Sequence, residues 1–505
     1  MELVFHEETI RYLCEKRFDQ LYQEQTAEMT LPENRPEVRR IVDCYGLVLV
    51  QNKNVESGMV TVSGGIQAGV LYVSEEERLE RIDVVLPFTV SKKVTTEDGA
   101  QLFYWGWLKS IDARLINSRK VLVRANLGSE LTVLENTECR LSRLTEKPED
   151  LCCRTAEYTM RLPLCAAERD IQIADEIPIP EQQPGIARLL KWSCVVLVSD
   201  TRLIGNKAVF KGSISLRCLY EAEDDTIHLW TGEVPYSQYA ELDREMEDGT
   251  VVIQPILRQA ELDSDGQIDS HRLLLNITAT AQILVRGDVA ITLTEDAYSL
   301  SGVFSPDWSS CELPACLDTA QIEQIETVSL PQDADQILDW TVMADAASIS
   351  ASKADRVTIP LNLNLLYSDS DHQLSSKAFH LESAVDVPGS EESRLRASVC
   401  IGTETELRGQ QLKLPLKVEL LYEQVRPMRN LCGGSISESG AGETQGPSLL
   451  AARCRGTLWE IAKKHRTTVE ALQIVNGLDT DRLDTASLLL VPLGQAAKAA
   501  VEVKK

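Results

Sequence analysis

GGIQAGVLYVSEEE, residues 64–77, reads as a strand that ends in Leu-Tyr and runs into acidic residues. The same text returns as GSISLRCLYEAEDD at 212–225 and as LNLNLLYSDSD at 361–371. The leucines of the Leu-Tyr pairs are Leu71, Leu219 and Leu366, spaced by 148 and 147 residues. Two near-equal steps mark a tandem repeat. A Leu/Ile-Pro pair opens each copy, at Leu31, Ile179 and Leu330, and the first two copies add a second proline, Pro36 and Pro184. Each copy closes on a polar turn and another alternating run, from Asn117, Asp269 and Arg408. At this length the copies are small domains rather than solenoid units.

Within the first copy Val60, Val62, Ile66, Ala68 and Val70 alternate with small or polar residues, the period-two pattern of a half-buried strand. Val121, Val123, Ala125, Leu127 and Leu131 do the same. The expected fold is therefore mainly β: three tandem antiparallel, sandwich-like repeats. Pro360 and Pro415 interrupt alternating runs of the third copy, which predicts edge or bulged strands there, because proline donates no ladder hydrogen bond. The acidic residues after each Leu-Tyr are expected in solvated hairpin turns rather than in a calcium site, since their spacing changes between copies.

The expected organisation is a helical segment over 1–28, with Leu13, Phe18 and Leu21 as its apolar members, and a first repeat over 29–139. A polar connector and second repeat fill 140–288, a connector and third repeat 289–430, and a Gly/Ser-rich flexible linker 431–449. A compact module follows at 450–493, expected to fold by itself, and then a disordered tail at 494–505.

The formal net charge of −26 argues against nucleic acid and anionic lipid as direct partners. Residues 449–505 differ: nine Lys/Arg stand against six Asp/Glu. The first residues, MELVFHEETIRYLCEK, lack the basic and apolar regions of a secretory signal, and no apolar run has the length of a membrane span. The 13 scattered cysteines fit reduced, cytosolic thiols. The six histidines share no register, and Cys311 and Cys316, like Cys152 and Cys153, lack a second pair to complete a metal set. Neither a cofactor, a metal nor a catalytic group is expected, and the chain reads as a binding protein.

The terminal module carries the sharpest signal, CRGTLWEIAKKHRTTVEALQIVNGLDTDRLDTASLLLVPL. Thr457 with Glu460 and Thr467 with Glu470 have capping-box spacing. Asn476-Gly477 stops the second helix, and Pro492 closes a final strand. This βααβ text resembles a LysM domain. The resemblance implies a shallow groove between two loops, formed by Arg455, Gly456, Thr457 and Leu458 on one side and Val475, Asn476, Gly477 and Leu478 on the other. LysM domains bind N-acetylglucosamine polymers, but Arg455-Gly456 replaces the family's Gly-Asp, and Thr485-Ala486-Ser487 its Pro-Gly-Gln. Docking of a protein and binding of a glycan both stay open for this groove. Trp459 is expected to be a partly buried structural ring.

With that module placed last, the proline opening and the Leu-Tyr strand resemble the SPOCS domain of spore-coat proteins. SPOCS-like units followed by one LysM are similar to coat-morphogenesis proteins of endospore formers. The resemblance implies a non-enzymatic adaptor in coat and cortex morphogenesis whose LysM recruits the coat-basement morphogenetic ATPase, alongside other coat proteins. It implies the mother-cell cytoplasm, at the forespore surface and spore coat. The alternative is a peptidoglycan-binding protein of cortex or cell wall.

Overall fold

The computed structural model describes residues 3–56, 58–96, 99–146, 148–264, 266, 270–331, 334–344, 356–370, 373–386, 393–401, 406–408, 411–437 and 449–493. Repeat 1 contains β1 (Phe5–Thr30), β2 (Val38–Glu56), β3 (Met59–Ser74), β4 (Leu79–Lys93), β5 (Gln101–Asn117) and β6 (Lys120–Leu144). Its strands form two antiparallel sheets, ordered β2-β3-β4 and β1-β6-β5. Repeat 2 uses β7 (Leu151–Pro178), β8 (Arg188–Ile204), β9 (Lys207–Glu221), β10 (Ile227–Glu241), β11 (Thr250–Ser264) and β12 (Arg272–Ser299) in the same way, ordered β8-β9-β10 and β7-β12-β11. Repeat 3 pairs β14 (Ala334–Ala344), β15 (Arg356–Asp369) and β16 (Leu374–Asp386) in one sheet. Its other sheet orders β13 (Val303–Ser329), β19 (Gln411–Ser437) and β17 (Ser393–Ile401), with β18 (Glu406–Arg408) also on β19. Three tandem sandwiches are thus present, as the repeat predicts.

The Leu-Tyr pair lies on the central strand of each meander, β3, β9 and β15. Adjacent strand residues point to opposite faces, and the two residues have separate tasks. Tyr72, Tyr220 and Tyr367 point into the three sandwich cores. Leu71, Leu219 and Leu366 point the other way and meet in one cluster with Val42, Leu190 and Leu338. A β-bulge falls at each of those last three positions, so that Asp43, Lys191 and Asp339 come opposite the three leucines. The tyrosines also explain the second proline: Tyr72 donates to the Pro36 carbonyl at 3.3 Å, and Tyr220 to that of Pro184 at 3.0 Å.

The repeats therefore surround a pseudo-threefold axis with a charged layer beneath the leucines. The Lys191 ammonium donates to Asp43 at 2.8 Å, to Asp339 at 2.7 Å and to Thr341 at 2.8 Å. Arg217 donates to the other Asp339 oxygen at 2.5 Å, with its guanidinium 3.6 Å from the Trp340 ring centre. Asn364 donates to Asp43. All three axial side chains are buried. Burial raises the Asp43 pKa, whereas at Asp339 burial is outweighed by Lys191 and Arg217, which hold it below the usual carboxylate range.

Several expectations are corrected. The expected N-terminal helix is absent among the described residues: Phe5–Thr30 is strand β1. Different neighbours bury this strand along its length, with Ile10, Leu13, Phe18 and Leu21 contributing to three clusters, and the resulting irregular apolar spacing imitates a helix. The connectors shrink to turns, because β1–β6, β7–β12 and β13–β19 continue past the sandwiches as long antiparallel ribbons. Ribbon residues Ile10, Leu141, Met160, Ile291, Leu313 and Met428 pack together as a second three-way contact. Residues 431–437, expected in the linker, are the end of β19, which pairs there with Val303–Trp308, and Leu449 opens β20 (Leu449–Thr457). The remaining linker residues 438–448 and the tail 494–505 lie outside the described residues.

The strands holding Pro360 and Pro415 are central ones. Among the described residues, each proline lies just outside one neighbour's pairing. The β14 pairing stops at Leu361, and Pro415 falls between the stretches of β19 paired by β18 and β17. Glu77 and Asp225 occupy left-handed positions, φ 62° and 61°, in the hairpin turns after β3 and β9. The buried thiols of Cys194 and Cys218 are pushed up to about 12 by desolvation, which keeps them as neutral apolar groups.

Lys191→Ala strands two buried carboxylates near the axis. A loss of about 3–5 kcal/mol is expected, the usual cost of breaking a buried ion pair from one side, measured as a fall in the urea midpoint. An unchanged midpoint would show that the axial layer does not hold the repeats together.

Candidate functional site

The terminal module pairs β20 (Leu449–Thr457) with β21 (Arg482–Pro492) and carries α1 (Leu458–His465) and α2 (Val469–Asn476) between them. Thr457 caps α1 with the expected reciprocal box: its hydroxyl accepts from Glu460 N at 3.2 Å, and Glu460 Oε2 accepts from Thr457 N at 3.3 Å. The expected second box, Thr467 with Glu470, does not form. Thr468, not Thr467, caps α2 by accepting from Ala471 N at 3.1 Å. Thr467 is buried, and its carbonyl serves a contact described below. Arg466 (φ 53°) and Gly477 (φ 63°) end the helices in left-handed conformation.

The two loops flanking the expected groove are brought together. Leu458 N donates to the Asp481 carbonyl at 2.8 Å, and Gln473 Nε2 to the Asp481 carboxylate at 3.1 Å. Arg455 is exposed on a β-bulge opposite the stretch containing Thr485 and Ala486, and Gly456 follows with φ +110°. Gly477 is exposed, while Thr457, Val475 and Leu478 are half-buried.

Two of the eight expected groove residues hold the module together instead. Leu458 is wholly buried in its core. The Asn476 amide donates to the carbonyls of Leu472 at 2.9 Å and Leu490 at 2.8 Å, and its oxygen accepts from Leu490 N at 2.8 Å. That side chain stitches α2 to β21. Asp479, Thr480 and Asp481 add an exposed, acidic second rim that the motif does not mark, because they fall between its Asn-Gly-Leu turn and its Pro-Gly-Gln position.

The module does not stand apart from the body. The end of the β7–β12 ribbon supplies Cys152, Tyr298 and Leu300 to its hydrophobic core. Tyr298 donates its hydroxyl to the Thr467 carbonyl at 2.7 Å and meets the Trp459 ring edge-on, centroids 5.0 Å apart. Asp296 receives Trp459 Nε1 at 2.8 Å and the Lys463 ammonium at 2.6 Å. Trp459 is a packed structural ring, as its helix position suggests, but repeat 2 supplies neighbours to it: Tyr298, Asp296 and Arg154. The sequence signal was charge: α1 carries Lys463 and Lys464, and the ribbon end is acidic.

A SipL-type SPOCS domain matches residues 185–263, and a LysM domain matches residues 457–492. The chain carries the SPOCS-plus-LysM architecture. The SPOCS match spans the meander and β11 of repeat 2 without the long ribbon strands β7 and β12. Searches of curated proteins and of solved structures gave no match. The two domains are of binding and adaptor type and mark a sporulation-related LysM protein. Among the described residues no helix is long and apolar enough to cross a membrane.

Burial raises the Asp296 pKa, but the Lys463 and Trp459 hydrogen bonds outweigh it and hold the group below the ordinary carboxylate value. The contact is therefore complete above the unfolded value of about 4 and is lost as pH falls through the lowered folded value. Asp296→Ala should speed hydrogen exchange of residues 458–466 at neutral pH, and wild type should show the same change only below about pH 4. Equal exchange in both proteins at pH 7 would mean that the ribbon does not hold the module.

Proposed function

We propose that this chain is a non-enzymatic adaptor of endospore coat and cortex morphogenesis. The three-repeat body is the scaffold, and the LysM module recruits the coat-basement morphogenetic ATPase from the mother-cell cytoplasm to the forespore surface. The observation that supports it most is the mounting of the module. Trp459, Lys463 and Thr467 are engaged by the body, while Arg455, Gly477 and Asp479 to Asp481 stay exposed at the groove rims. A module fixed at one face and open at its loops suits holding a partner in a set orientation on a large scaffold. The body supplies adaptor surface: its titratable clusters, such as Asp43–Lys191–Asp339, are engaged internally.

A second reading follows from the LysM match itself, binding of peptidoglycan by the same groove. The substitutions favour the protein partner. A glycan-facing Gly-Asp turn has become Arg455-Gly456, which sets a cation opposite an acidic rim, and charge pairs of this kind steer proteins.

The test is calorimetric titration of the purified coat ATPase into the full chain, the chain ending at Ser437, and Arg455→Asp. Removing the module should abolish most binding, and Arg455→Asp should weaken it about tenfold, about 1.4 kcal/mol, without lowering the melting temperature. Asn476→Ala is unsuitable, because it unpicks α2 from β21. Full affinity in the chain ending at Ser437 would refute recruitment by the module. Binding of soluble peptidoglycan fragments that Arg455→Asp alters, with no ATPase binding, would establish the second reading.

A further inference from the structure

Aromatic residues make up only 5% of the chain, yet three of them share a short stretch of the outer face of the β1-β6-β5 sheet. Trp105 and Trp107 are alternate residues of β5, and Tyr22 on β1 and Trp107 both oppose Gly128 on the central strand β6. Gly128 is required there: a Cβ would lie 2.3 Å from Trp107 Cε2, so the indole rests on the bare backbone. Trp105 and Trp107 sit with ring centroids 4.7 Å apart, tilted by 40°. Tyr22 is 45% exposed, and both indoles are partly open to solvent.

The surroundings decide what this strip fits. Continuing along the cross-strand rows, Trp105 opposes Glu130, Ser110 opposes Asn126, and Asp112 opposes Arg124. Asn126 donates to Ser110 at 2.7 Å, and Arg124 pairs with Asp112 at 3.1 Å. Leu122, opposite Arg114 one row further on, is the first aliphatic side chain along β6 on this face, whereas the core of a protein-docking patch mixes aliphatic groups among its aromatics. Flat rings edged by amide, hydroxyl and carboxylate groups match a pyranose chain instead. The C–H face of a sugar ring is weakly positive and lies on the negative face of an indole or phenol, while its equatorial hydroxyls need polar partners at the edge.

The strip also leads into a cavity. Lys109, whose ammonium lies 5.1 Å from the Tyr22 ring centre, lines a cleft of about 960 Å³ between repeats 1 and 3. Ser110, Asp112, Asn362, Ser376 and His380 line the same cleft. We propose that Tyr22, Trp105 and Trp107 form a glycan-binding platform on repeat 1, separate from the LysM module, which takes a pyranose chain along β5 toward this cleft.

The test uses the full chain with chitohexaose and cellohexaose as probes, titrated by calorimetry. Wild type should bind at least one of them. The double variant Trp105→Ala, Trp107→Ala should weaken that binding about tenfold or more, and Tyr22→Ser about threefold, with Arg455→Asp leaving it unchanged. Tyr22 is a surface residue, so its variant, checked by an unaltered melting temperature, keeps the test valid if the indole double variant misfolds. Binding of neither hexasaccharide overturns the proposal. So does binding that Tyr22→Ser and the indole variants leave intact, which would belong to the module. Loss of coat-protein capture in the indole variants, without sugar binding by wild type, would make the strip a protein interface and equally overturn it.

Discussion

Lys191 between Asp43 and Asp339 is the contact on which the arrangement of the three repeats turns. The three residues occupy the same bulge-flanked position in successive repeats, so a layer built identically three times would set like charges against one another near the axis. Acid, base, acid, with Arg217 added from β9, gives two positive and two negative groups. Each carboxylate then has a cation within hydrogen-bond reach, which is the condition for burying charge at tolerable cost. The layer also gives the repeats an order, because only the middle one carries the lysine. Buried polar groups that set register in other assemblies work in the same way.

Around that layer, apolar packing supplies the bulk of the cohesion. The cluster of Leu71, Leu219 and Leu366 with Val42, Leu190 and Leu338 buries side chains each worth about 1.5–3 kcal/mol on transfer from water. Each leucine shares its strand with a tyrosine that fills the sandwich behind it, so one dipeptide serves both the inside of a repeat and the contact between repeats. Away from the meanders the ribbons make a second three-way contact, and Asn430 spans it. Its amide donates to the Ser142 carbonyl of ribbon 1 at 2.9 Å and its oxygen accepts from Thr294 N of ribbon 2 at 3.1 Å. With attachments at both ends, the body is one unit rather than three beads on a string.

That unity changes how the terminal module is understood. The Gly/Ser-rich stretch before it suggests a free tether, yet Tyr298 and Leu300 are part of the module's own hydrophobic cluster. The mounting orients the groove loops relative to the scaffold and takes up one face of α1. Specific capture of a partner gains from such preorganisation, because less conformational entropy is lost on binding.

Much of this was legible in the sequence. Period-two alternation and the recurring Leu-Tyr step determined three β sandwiches, and the Thr-x-x-Glu, Asn-Gly and terminal proline signals determined a βααβ module, because backbone geometry, capping and turn chemistry are local properties. The strand β1 was not legible, since different neighbours bury its residues and leave no single period. The roles of Leu458 and Asn476 within the candidate groove were not legible either, because a motif position does not say which way a side chain points. The pairing of Asp43 and Asp339 with Lys191, the placing of Tyr22 and Trp107 on either side of Gly128, and the docking of Trp459 on Asp296 join residues about eighty to a hundred and sixty positions apart. Only the tertiary structure decided them, because such contacts depend on how folded sheets close on one another, a constraint that no window along the chain contains.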